Sequence, residues 1–180
     1  RLEMGPGGLR EAGRVTLPSR PLGFTGTDDV KIVTADGLHR WDGVGASASG
    51  GGRFAEPFSK ALVSDDGSTV VGFLGGRRLR VVRLDGNGEA WEISLPETAL
   101  AVAPSPDGKW VATGDFSGEI TLRESRPGGA TRKIAAHRGL IQAMAFSPDG
   151  TRIASGGADQ VVRLHEVASG SAVGEWRGHR

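Results

Sequence analysis

His137, Ser155 and Asp159 are the residue types of a nucleophilic relay, in which a carboxylate orients an imidazole that takes a hydroxyl proton. That chemistry needs a serine a substrate can reach and donors for a developing oxyanion. Ser155 instead falls in the middle of 152–156, a short run that reads as a core strand. The acidic pairs Asp28-Asp29 and Asp65-Asp66 have the chemistry of calcium ligands, but they recur at equivalent turn positions, where turn formation accounts for them. The four His residues are scattered and include no His-Glu-x-x-His spacing. With no Cys, thiolate catalysis, disulfides and cysteine-zinc sites are excluded. The expectation is therefore a chain that is not an enzyme, with no catalytic residue, no metal site and no cofactor.

Charge excludes more. The balance is 22 basic against 21 acidic residues, a net charge of +1, so nothing favours nucleic acid or an anionic membrane as main partner. The densest basic run, 77–83, alternates Leu79 and Val81 on one face with Arg78 and Arg80 on the other. It reads as a strand whose arginines pack their stems or pair with neighbours. No apolar stretch approaches the roughly 20 residues of a membrane helix.

The elements that must carry these residues are repeated. Ser-Pro-Asp-Gly occurs at 105–108 and 147–150, 42 residues apart, and Ser-Asp-Asp-Gly at 64–67 precedes the first by 41. Pro presets φ, Asp bonds its own backbone and Gly accepts the left-handed conformation, so each copy is a hairpin turn with a mechanism. The last unit places strands at 141–146, 152–156, 161–165 and 172–176. Moving back one period gives 100–104, 110–114, 120–124 and a fourth near 132–135; one further gives 60–63, 70–73, 79–84 and 89–93. The earliest unit is eroded, with its turn at 27–30, strands at 31–34 and 38–42, and a weak Gly/Ser-rich fourth strand within 43–52. An outer strand near 12–17 precedes it. The reading is all-β, about four four-stranded antiparallel sheets: 1–18 a trailing strand, then units at 19–54, 55–95, 96–137 and 138–179.

Across 136–179 the string Ala-His, then Phe-Ser-Pro-Asp-Gly, then Ala-Ser-Gly-Gly-x-Asp-x-Val-Val-Arg-Leu resembles the WD-repeat (WD40) β-propeller family, whose units run about 40–45 residues. The resemblance implies a propeller sector. It also implies a buried structural network of His137, Ser155, Asp159 and His165, the last standing where the family carries Trp. Family practice implies a non-enzymatic scaffold for other proteins or peptides, in the cytoplasm, contacting partners through loops between second and third strands. The candidate contact residues are Arg77, Phe116, Arg138 and Ala158, with Phe116 the natural aromatic anchor. The alternative is a sensor propeller of a larger kinase, protease or NTPase. Trp91 and Trp176 are expected between blades, and Trp110 in the core. Because the chain opens at Arg1 and stops just past Gly178-His179, both ends read as cut, and self-association through exposed terminal blades is expected.

Overall fold

The computed structural model describes residues 2–5, 8–11, 21–25, 30–34, 38–41, 46–47, 56–75, 77–84 and 89–178. These residues are strand and turn throughout. A hairpin of β1 (Leu2–Gly5) and β2 (Gly8–Glu11) opens the chain. Four antiparallel four-stranded sheets follow, each in chain order. The first holds β3 (Pro21–Thr25), β4 (Val30–Thr34), β5 (Leu38–Trp41) and β6 (Ala46–Ser47). The second holds β7 (Lys60–Val63), β8 (Thr69–Gly75), β9 (Arg78–Arg83) and β10 (Ala90–Ser94). The third holds β11 (Ala101–Pro104), β12 (Trp110–Gly114), β13 (Glu119–Glu124) and β14 (Thr131–Ala135). The fourth holds β15 (Ile141–Phe146), β16 (Arg152–Gly157), β17 (Val161–Glu166) and β18 (Ala172–Arg177). The innermost strands adjoin in sequence: β7 lies beside β3 and β11, and β11 beside β15. This is the radial stacking of propeller blades. The outer strand expected near 12–17 and the turn at 27–29 lie outside the described residues.

The repeated turn closes the same way three times. Ser64, Ser105 and Ser147 each donate Oγ–H to the Asp two residues on, at 2.7, 2.7 and 2.5 Å. The same Ser oxygens accept the backbone N–H of Thr69, Trp110 and Arg152 at 3.0, 2.9 and 3.0 Å. Each Asp Oδ1 also takes a backbone N–H two residues further on, from Ser68, Lys109 and Thr151. At Asp149, bonds from Ser147 and Thr151 lower the carboxyl pKa to about 2. The side chains thus complete what the backbone alone leaves unpaired, and they hold the corner between first and second strands.

Among the described residues, two interior clusters fill the spaces between the second, third and fourth blades. Val71, Leu79 and Val81 of the second blade meet Val102 and Val111 of the third. Ile120 and Leu122 of the third meet Ile141, Ile153 and Val167 of the fourth. Trp91 lines the first of these spaces as expected, and Ile93 lies there with it. Trp110, expected in the core, is only partly buried; it packs on the edge of the second cluster with the Arg132 guanidinium 5.9 Å from its ring centroid. Trp176 departs from expectation altogether. It is 57% exposed, because no described strand faces its side of the fourth blade.

Candidate functional site

Alternation along β16 and β17 determines which side chains turn inward. Ser155 pairs across the strands with Arg163, and Ile153 with His165, so Arg163 and His165 share the face of Ser155. His137, in the connection from β14 to β15, drops onto that face. Its Nε2 lies 2.9 Å from Ser155 Oγ and its Nδ1 lies 2.9 Å from Asp159 Oδ1. Arg163 Nη1, which only donates, stands 2.8 Å from the same Nδ1, so this nitrogen lies between a donor and the accepting Asp159 carboxylate. Arg163 donates from Nη1 to Asp159 Oδ2 at 2.6 Å and reaches Glu175 through Nε at 3.0 Å. The backbone N–H of Arg138 adds a longer bond to Asp159 Oδ2, 3.3 Å. Burial opposes ionisation of Asp159, but the bonds from Arg163, His137 and Arg138 outweigh it and hold its carboxyl far below the usual range.

His165 does not join this network. Its Nδ1 is buried without a partner, and burial first, then the neighbouring His137 and Arg163, lowers its pKa. The fourth member is instead Arg163, which sequence reasoning missed. Arg163 stands two residues before His165 on the same strand face, but only its pairing opposite Ser155 brings it to the network.

The connectivity Ser155–His137–Asp159 is that of a hydrolytic relay, yet its setting differs. Ser155 is 2% exposed, inside the blade, so an acyl group has no approach to its oxygen. What the arrangement does chemically is tie the loop before β15 to the β16–β17 turn with charge-assisted bonds.

The contact candidates gather elsewhere. In a four-stranded antiparallel blade, the connection between second and third strands and the one leading to the next blade leave from the same edge. Arg77, Phe116, Arg138 and Ala158 all stand on such connections and are exposed. Phe116 is 54% exposed, and the loop beneath it is held by Asp115, whose Oδ1 takes bonds from the Ser117 N–H at 2.9 Å, the Ser117 hydroxyl at 2.7 Å and the Glu119 N–H at 3.1 Å. Arg77 donates to the Pro96 carbonyl across the same edge. Leu100, read from sequence as the start of a strand, precedes β11 and is also exposed at this edge. Arg78 and Arg80, by contrast, pair with Glu56 and Glu92, as the alternating run suggested.

Residues 95–122 and 128–166 match the family model WD domain, G-beta repeat (WD40). These two units are WD40 repeats. No curated protein sequence matches the chain. Among solved structures it is similar to the RRP9 WD40 repeats (22% identity, TM-score 0.59, covering 71% of this chain and 40% of that one). It is similar also to the U3-55K structure (21% identity, TM-score 0.59, 71% and 41%). A chain of the mitotic checkpoint complex aligns with all of it (18% identity, TM-score 0.66), and this chain spans 56% of that one. At these identities the WD40 likeness shows the fold. The chain spans less than two thirds of each of these relatives.

Proposed function

We propose that this WD40 array is a non-catalytic platform that binds protein or peptide partners through the loop edge carrying Arg77, Phe116, Arg138 and Ala158. One observation carries the reading: Phe116 stands 54% exposed on a loop that Asp115 braces. A large apolar side chain displayed in solvent from a braced loop is the form of an interface anchor, since the loop backbone is already ordered before binding. The near-neutral charge favours protein over nucleic acid or membrane. The buried relay supports a role in fold rather than turnover.

Selection of a displayed peptide library on the 180-residue chain tests it. Phe116→Ala should weaken selected binders by roughly tenfold or more, and Arg138→Ala by several-fold, with thermal melting unchanged. Binders indifferent to both substitutions would place the contact surface elsewhere.

A further inference from the structure

The third blade carries the relay of the fourth with one part missing. Moving back 42 residues from His137, Ser155, Asp159 and His165 gives Leu95, Thr113, Ser117 and Arg123. Cross-strand register agrees: Thr113 lies opposite Thr121 as Ser155 lies opposite Arg163, and Val111 opposite Arg123 as Ile153 opposite His165. In the fourth blade the cation is matched, since Arg163 and His137 both reach Asp159. In the third, Thr113 Oγ1 accepts from Arg123 Nη1 at 3.2 Å, and no carboxylate stands at the position of Asp159. Ser117 occupies that position, and its hydroxyl donates to Asp115 Oδ1. Among the described residues Arg123 forms no ion pair, and Glu119, whose charge it feels, is held by Lys133 Nζ at 2.7 Å. Burial lowers the Arg123 pKa, whereas Asp159 raises that of Arg163.

Arg123 faces a small cleft between the second and third blades, lined also by Leu95, Pro96, Glu97, Thr113 and Asp115. Its free space is about 10 Å3, room for one oxygen-sized group. The cleft opens on the loop edge: Pro96 and Glu97 are exposed, and Phe116 follows Asp115 directly. Leu100, also exposed at this edge, donates its N–H to the carbonyl of Gly114, one residue before Asp115.

We propose that Arg123 receives a carboxylate from a bound peptide, an Asp or Glu side chain that supplies the charge Asp159 supplies one blade on. This rests on the platform reading above and names the chemistry it selects. The acid enters the cleft while a neighbouring apolar residue of the peptide lies on Phe116 and Leu100. A half-buried guanidinium gains more from a carboxylate than an exposed one does, because water and salt screen the pair less. Asp115 cannot fill the role with Oδ1, which its own loop occupies. Room for one oxygen suits the edge of a carboxylate and not a phosphate. Glu97 and Asp115 at the mouth favour the same choice, since they repel a dianion more strongly than a single charge.

Two displayed peptide libraries on the 180-residue chain test it, one containing Asp and Glu, the other with Asn and Gln in their place. Binders should come from the first and carry an acid at a fixed distance from an apolar residue. Amidating that acid, Glu to Gln or Asp to Asn, should weaken them roughly tenfold to a hundredfold. Arg123→Met should cost a similar factor, and in that variant amidation should no longer matter. Thr113 keeps its own bond to the Thr121 carbonyl at 3.3 Å, so the substitution orphans no donor and thermal melting should hold. Binders that need Phe116 but arise equally from both libraries would overturn the carboxylate slot and leave the platform standing. So would an effect of amidation that Arg123→Met does not change. No binder from either library would overturn both.

Discussion

Among the described residues, His165 is one of three, with Trp91 and Ser125, whose buried polar side-chain atom has no hydrogen-bond partner. A buried ring nitrogen without a partner costs about 1–3 kcal/mol. Its pKa sits below the ordinary 6.5, first through burial and then through His137 and Arg163. The unfolded chain therefore binds the proton more readily than the folded one. Stability is fully present above about pH 6.5 and declines as pH falls through the lowered folded value. His165→Phe removes both the orphaned nitrogen and the titration. We expect the variant to melt at a higher temperature than the parent, with a wider gap at pH 5.5 than at pH 7.5; an equal gap at the two would refute the titration argument. Asp159 stands opposite in character. With Arg163, His137 and the Arg138 amide all bonded to it, a substitution that deletes its charge leaves an arginine and a histidine underpaired.

At the scale of elements, the hairpin turns and strand spacing were plain in the sequence because each turn residue has a local reason to be there. Ser, Asp and Gly at the corners pair with groups two to five positions away. The network was legible in part for the same cause: His137, Ser155 and Asp159 stand at motif positions. Arg163 was not, since its role depends on cross-strand alignment with Ser155, which no local pattern displays. Trp176 misled because an outer-strand aromatic is buried only if another blade arrives. Element contacts also explain Gly118, at φ +89° in the β12–β13 turn. A methyl group there would sit 2.1 Å from the His137 carbonyl oxygen, which is backbone and cannot step aside. Gly118→Ala is expected to cost about 1–3 kcal/mol by thermal or urea unfolding, from strain and displacement together. A neutral result would mean that the β14–β15 connection is free to move.

The molecule as a whole is a stack in which each blade touches its neighbours, so stability is close to a sum of blade and joint contributions. Leu122 and Leu164 hold the same position one period apart, yet Leu122 lies in a filled joint and Leu164 does not. Leu122→Ala should cost about 2–5 kcal/mol. Leu164→Ala should cost less than half as much. Equal losses would show that the joints are not what holds the array. The joints also share one pattern, an aliphatic trailing face against an Ile- and Val-bearing leading face. Excising residues 95–136 would bring Ser94 directly before His137 and set Leu79 and Val81 opposite Ile141 and Ile153, so a shortened protein with its seams intact is one cut away.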